Sequence, residues 1–124
     1  MHDVDTVYSI PILLNKQKVD DTILKKLNLK IKKPNLNDWK RVVKAKLLPE
    51  KEVNVSFVGK YTELKDSYKS INEALEHAGI QNKAKVNINF VEAEQITSQN
   101  VRKVLKKSDA ILVPGGFGER GIEE

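Results

Sequence analysis

The stretch VNVSFVG, residues 53–59, decides the fold: it is a valine-rich apolar run that ends at a glycine. Short runs of this kind are typical of buried strands. KVNINFV (85–91) alternates apolar with polar residues and predicts a second strand, and DAILVP (109–114) predicts a third. The segments between them, SYKSINEALEHA (67–78) and SQNVRKVLKK (98–107), carry apolar residues at helical spacing.

The order strand, helix, strand, helix, strand predicts a βαβαβ unit. Because crossovers between parallel strands are right-handed, the three strands form one parallel sheet of the α/β class. Three strands are too few for a complete doubly wound sheet, so we expect a partial one. We also expect Asp66 or Ser67 to cap the first helix, Gly79 to stop it and Thr97 to cap the second.

Residues 1–50 are predicted to be mainly helical. YSIPILL (8–14) is broken by Pro11, which favours a packed loop or the start of a helix over a central strand. Asp20 or Asp21 is placed to cap a following helix, and NDWKRVVKAKLL (37–48) predicts another. We expect Trp39, on the apolar stripe of that helix, to be a core anchor.

A boundary is predicted near residue 50, where the polar stretch PEKE (49–52) forms a linker. It divides the chain into residues 1–50 and residues 51–124. With 40 % hydrophobic and 31 % charged residues, the 124-residue chain has the balance of a soluble globular protein. No apolar run approaches the ~20 residues that span a bilayer, and the first residues lack the features of a signal peptide, so we expect no membrane association and a cytoplasmic location.

The net charge of +5 belongs entirely to the first part of the chain. Residues 1–52 carry 12 Lys and Arg against 7 Asp and Glu, whereas residues 53–124 carry 10 of each. A basic patch of this kind can bind phosphate groups of a nucleotide or a nucleic acid, or it can be a solvated face of lysines. No aromatic residues interleave the basic runs, which favours the solvated face and no nucleic-acid partner.

The glycine-rich loop PGGFGERG (114–121) follows the third predicted strand. It matches the dinucleotide pattern G-x-G-x-x-G, but that pattern normally follows the first strand of its unit, so the match is weak. Glycine at a strand end also allows a peptide N–H to approach a reacting carbonyl closely, as an oxyanion hole requires. A plain glycine-rich turn is the remaining alternative.

Four stretches of the sequence resemble a known family. VGKYTELKDSYKSINEALEHAG (58–79) and DAILVPGGFGERGIE (109–123) resemble the start of the glutaminase domain of CTP synthases. HDVDTVYSIPILL (2–14) resembles the end of their synthetase domain, and the stretch around Trp39 resembles the interdomain linker. The resemblance implies that residues 1–50 are the end of a synthetase domain with the linker. Residues 51–124 would then be the first part of a class I amidotransferase domain on a flavodoxin-like sheet.

The resemblance also implies an activity for the parent enzyme. CTP synthases aminate UTP to CTP with ATP, using ammonia released from glutamine, and GTP activates the reaction. The implied small molecules are therefore UTP, ATP, glutamine, GTP and Mg, and the parent enzyme is expected to be a homotetramer. In the glutaminase domain a cysteine thiolate attacks the amide and backbone N–H groups stabilise the oxyanion. By resemblance, Gly115 and Gly116 lie at the oxyanion and glutamine position.

Five further residues match nucleotide-linked positions of the family. Arg120, Glu123 and Lys69 match positions associated with GTP activation. Asp3 and Val4 fall where the synthetase domain meets the adenine of ATP. Ordinary surface roles remain open, with Lys69 as a solvated lysine and Arg120 as an ion-pair partner of Glu123.

The chain contains no cysteine, so it has no catalytic nucleophile, no disulfide and no thiolate metal site. Neither His2 nor His77 matches the family's catalytic base, and no catalytic or metal-binding residue is assigned. We expect an internal piece of a CTP synthase that needs no cofactor of its own and is inactive alone. The alternatives are a stand-alone α/β nucleotide-binding or regulatory module acting through residues 115–121, and a nucleic-acid binder acting through residues 25–46.

Overall fold

The computed structural model describes residues 4–30, 32–60 and 65–115, with Lys65 described by its backbone alone. The chain divides into two compact units, Met1–Leu48 and Pro49–Glu124. None of the helices within the described ranges is long and apolar enough to cross a membrane.

The described part of the first unit is helical, as predicted, with α1 (Ile10–Lys16), α2 (Val19–Lys26) and α3 (Asn37–Leu47). Pro11 lies in the first turn of α1, where its missing N–H leaves no helical hydrogen bond unmade. The predicted aspartate cap of α2 is wrong, because Lys18 occupies the N-cap in the left-handed conformation, with φ 58°. Asp20 instead lies in the first turn and accepts a 2.7 Å hydrogen bond from the amide of Asn15.

The first unit has almost no interior of its own. Among its described residues, only Thr6 is buried. Trp39 is 41 % exposed, so its predicted role as a core anchor is wrong. Helices of 7, 8 and 11 residues are too short to enclose the apolar stripes that they carry. Large apolar side chains are consequently exposed throughout this unit: Val4, Val7, Ile10, Leu14, Ile23, Leu27, Leu29, Trp39, Leu47 and Leu48.

The second unit is built on a parallel sheet of three strands with the order β2-β1-β3. The strands are β1 (Lys51–Gly59), β2 (Ala84–Glu92) and β3 (Ala110–Leu112). β1 pairs with β2 along its whole length, and Val55 and Phe57 pair with Ala110 and Leu112 on its other side. The predicted α/β class and the partial parallel βαβαβ sheet, preceded by a helical segment, are confirmed.

The core of the second unit centres on Phe57, whose side chain is completely buried in the middle strand. Its ring packs against Phe90 of β2, with ring centroids 5.2 Å apart, and meets Tyr68 edge-on at 4.6 Å. Val55 and Val91 are buried as well. Buried side chains of this size each contribute roughly 1.5–3 kcal/mol, so the middle strand anchors the unit.

Helix α4 (Lys69–Gln81) connects β1 to β2 and follows a 3-10 turn over Lys65–Tyr68. The cap predicted at Asp66 or Ser67 is wrong, because both lie in that turn and Tyr68 occupies the N-cap. Gly79 does not stop the helix either, since α4 continues to Gln81. Gly79 is buried where α4 presses on β2: a Cβ added there would lie 2.6 Å from the Ala84 carbonyl oxygen.

The helix in the second crossover is shorter than predicted: α5 spans only Val101–Val104. Thr97 does not cap it. The side chain of Asn100 holds the turn instead, accepting a 2.8 Å hydrogen bond from the Thr97 N–H and donating one of 2.8 Å to the Gln95 carbonyl. The amide side chain can pair with backbone on both sides of the turn, which a hydroxyl does less well.

β3 is held in register by polar contacts with β1. The carboxylate of Asp109 accepts hydrogen bonds from the Asn54 backbone N–H at 2.7 Å and from its side-chain amide at 3.2 Å. The Asp109 N–H donates to the Asn54 carbonyl at 2.8 Å. The Ser56 and Ser108 hydroxyls lie 2.6 Å apart.

The sheet face that carries Ser56 is polar at its amino end. There Glu52 accepts a 2.9 Å hydrogen bond from Asn87 and lies 3.5 Å from the Lys85 ammonium. The hydrogen bond from Asn87 and the positive charge of Lys85 lower the pKa of Glu52. The aromatic part of the core, around Phe57 and Phe90, lies on the other face, which α4 covers.

We predict that Gly79→Ala destabilises the second unit by about 1 kcal/mol, although alanine is the better helix former by about 1 kcal/mol. Overpacking costs roughly 1–3 kcal/mol, and the nearest atom is a backbone oxygen that cannot move aside as a flexible side chain would. The free energy of unfolding, from urea denaturation followed by circular dichroism, checks the sign.

Ala74→Gly is the matched control, because Ala74 is exposed on the same helix. It should cost about 1 kcal/mol through helix propensity alone. A Gly79→Ala variant more stable than the unsubstituted chain would show that the helix and strand are not in close contact here.

Candidate functional site

The sheet order defines where a ligand is expected to bind. From β1 the chain crosses to β2 on one side, and from β2 it crosses back over β1 to β3. The direction therefore reverses between β1 and β3, and open parallel sheets bind ligands outside the carboxyl ends of their strands at such a point. Gly59 and Lys60 lie at that end of β1, and residues 113–115 follow β3.

Three side chains converge on Gly59 at this edge. A Cβ added to Gly59 would lie 3.1 Å from Cε1 of Phe57, 3.3 Å from Cγ of Pro114 and 3.4 Å from the hydroxyl oxygen of Tyr68. Two of these distances are shorter than ordinary van der Waals contacts, so a side chain at this position would displace its neighbours. The missing side chain of Gly59 thus lets the ends of β1 and β3 pack closely.

Tyr68 connects the start of α4 to the end of β1. Its hydroxyl donates a hydrogen bond to the Lys60 carbonyl, and its ring lies against Phe57. Lys69, the next residue, is the first residue of α4 and is exposed. The structure therefore places Lys69 at the start of the helix that leaves this edge of the sheet.

Gly115 lies open beyond β3. It is exposed, and a Cβ added there would have no heavy atom of the described residues beyond its chain neighbours within 4 Å. Its φ lies outside the left-handed region, so nothing in its backbone or its described surroundings requires glycine. A glycine that its described surroundings do not require, at the expected binding edge of the sheet, suits a close approach of a ligand to the backbone.

Of the other predicted site residues, only Val4 lies within the described ranges. Val4 is exposed in the first unit. Asp3, Gly116, Arg120 and Glu123 lie outside the described residues. The site that the structure brings together thus consists of Gly59, Tyr68, Pro114 and Gly115, and Lys69 begins the helix that leaves this edge.

The chemistry of this site is limited by its side chains. The sequence has no cysteine, and the described residues contain no group of three His, Asp or Glu side chains that could hold a metal ion. Among the described residues, the exposed backbone of Gly115 lies at this edge, and the exposed Lys69 begins the helix that leaves it.

Sequence reasoning missed the roles of Gly59 and Pro114. A glycine directly after a buried strand was the available signal, because it marks a place where another backbone or a ligand approaches closely. Its partners are 9 and 55 residues away in the chain, and no local pattern predicts that they meet.

Comparison with known proteins gives the class. The family model of class I glutamine amidotransferases matches residues 63–124, which include α4, β2, α5, β3 and the glycine-rich loop. This chain belongs to the class I glutamine amidotransferase family.

A solved structure narrows the relationship. The glutaminase domain of Trypanosoma brucei CTP synthase, determined with bound acivicin, is 37 % identical in sequence and superposes with a TM-score of 0.51. The match covers 57 % of this chain and 28 % of that one. The predicted relation to the glutaminase domain of CTP synthase is confirmed, and the chain corresponds to well under half of that structure's length.

Proposed function

We propose that this chain is part of a CTP synthase, the ligase of pyrimidine biosynthesis that aminates UTP to CTP with ATP and ammonia from glutamine. Residues 51–124 would form the first part of its glutaminase domain, and residues 1–50 the end of its synthetase domain with the linker. The observation that carries the proposal is Gly115, an open glycine at the β1/β3 edge of a class I amidotransferase sheet.

In this proposal Gly115 and Gly116 contribute to the oxyanion and glutamine site. When a thiolate attacks the glutamine amide, the carbonyl oxygen gains negative charge and needs N–H donors that are already in position. Removing one such donor typically slows acyl transfer by about 10²–10³-fold. No described atom lies within 4 Å of a Cβ added to Gly115, which supports an approach of the substrate to its backbone.

The same proposal assigns five residues to the binding of nucleotides. Arg120, Glu123 and Lys69 would respond to GTP, which activates glutamine hydrolysis, and Asp3 and Val4 would face the adenine of ATP. A guanidinium holds carbonyl or phosphate oxygens through forked hydrogen bonds, which suits Arg120 to effector binding. The parent enzyme would use Mg with ATP and act as a cytoplasmic homotetramer.

We predict that Gly115→Ala impairs the glutamine reaction without destabilising the fold. In a CTP synthase that carries this sequence, glutamine-dependent CTP formation should fall about a hundredfold, because a methyl group would misplace the substrate by about 1 Å. The ammonia-dependent rate and the thermal midpoint should stay unchanged, since no described atom lies within 4 Å of the added Cβ. Steady-state assays with each nitrogen donor measure both rates.

Ala93→Gly is a suitable control for a small change near the same edge, because Ala93 follows β2 rather than β3. It should leave the ratio of glutamine-dependent to ammonia-dependent rates unchanged. Loss of both rates in Gly115→Ala, with a lowered thermal midpoint, would assign Gly115 to folding.

We also predict that Arg120→Ala weakens activation by GTP. Glutamine-dependent CTP formation should lose most of its response to GTP, and the ammonia-dependent rate should hardly change, because external ammonia bypasses the glutaminase step. Arg120→Lys should restore little, since an ammonium cannot form the planar fork. The measurement is CTP formation with glutamine and with ammonia, each with and without GTP.

An equal loss with both nitrogen donors would show that Arg120 serves folding or domain docking. An unchanged GTP response in Arg120→Ala would remove this residue from the effector site.

A further inference from the structure

The hydroxyl of Tyr68 and the ring of Pro114 approach the same point beside Gly59, at 3.4 Å and 3.3 Å. Tyr68 is the N-cap of α4, and Pro114 directly precedes Gly115. The edge of the sheet thus has one packed junction at which the start of α4, the end of β1 and the chain after β3 meet.

Tyr68 fixes this junction from both ends of its side chain. Its ring meets the fully buried Phe57 edge-on, with ring centroids 4.6 Å apart, and its hydroxyl donates to the Lys60 carbonyl. Although Tyr68 occupies the N-cap of α4, its side chain does not cap the helix. The hydroxyl therefore orients the first residue after β1.

We propose that Tyr68 is a positioning residue for glutamine hydrolysis. It acts through the Lys60 carbonyl and the close packing at Gly59. These contacts fix the position of Pro114, and therefore the position from which the backbone of Gly115 contacts the oxyanion. The same side chain sets the start of α4 and so the position of Lys69. This assignment rests on the proposed glutaminase function of the site.

The first test is Tyr68→Phe in a CTP synthase that carries this sequence, because the substitution keeps the ring and removes the hydrogen bond. We expect kcat with glutamine to fall about tenfold, since small misplacements of reacting groups reduce rates by one to two orders of magnitude. The KM for glutamine should change by less than about twofold, and ammonia-dependent CTP formation should be unchanged. This split between the two nitrogen donors distinguishes positioning from a general loss of folded enzyme.

Gly59→Ala approaches the junction from its other side. Its Cβ would press on Phe57 and Pro114 at 3.1 and 3.3 Å. We expect the same selective loss of kcat with glutamine, so the assignment does not depend on one variant. Tyr8→Phe, the same atomic change in the first unit, is the matched control and should leave the ratio of the two rates unaltered.

The outcomes separate this assignment from the proposed function. If unsubstituted enzyme forms CTP from glutamine but Tyr68→Phe and Gly59→Ala keep its kcat, the assignment is overturned and the proposed function stands. If both variants lose the glutamine and ammonia reactions equally, Tyr68 is a folding residue and the assignment is again overturned. If unsubstituted enzyme cannot use glutamine at all, the proposed function falls and takes the assignment with it.

Discussion

The parallel pairing of β1 on both of its sides is the constraint on which the second unit depends. Phe57 is buried at the centre of this strand, with β2 on one side and β3 on the other. Because the chain must reverse its direction of crossover to place β3 beside β1, the carboxyl ends of these two strands become the expected binding edge. This topology places Gly115 at that edge.

The two units differ in how their apolar residues are used. In the second unit, Val55 and Phe57 are buried on the sheet face that α4 covers, and Val91 is buried on the opposite face. In the described part of the first unit no apolar side chain is buried, and Trp39 is 41 % exposed. Short amphipathic helices gain most of their stability from packing, so the first unit is expected to rely on contacts that its own described residues do not supply.

The strands and their class were predictable because apolar runs and period-two alternation record burial directly, as in residues 53–59 and 85–91. The role of Gly79 was not predictable, because the sequence of a helix end is the same whether its glycine stops the helix or allows a strand to approach closely. The Asn100 turn replaced the predicted Thr97 cap for a related reason: both residue types suit such turns, and the surrounding backbone decides between them. The packing of Tyr68 and Pro114 beside Gly59 was not predictable either, because local sequence patterns do not show which distant residues meet.

The position of β3 beside β1 is the central claim, because it creates the edge that carries Gly115. It can be tested in the 124-residue chain with Ser56→Cys/Ser108→Cys, since the chain has no other cysteine and the two hydroxyls lie 2.6 Å apart. Mild oxidation should close an intramolecular disulfide and remove both thiols from titration. Ser56→Cys/Ser70→Cys is the control and should keep its thiols, because α4 covers the opposite face of the sheet. Persistent free thiols in the first variant, or disulfides only between chains, would contradict this placement of β3.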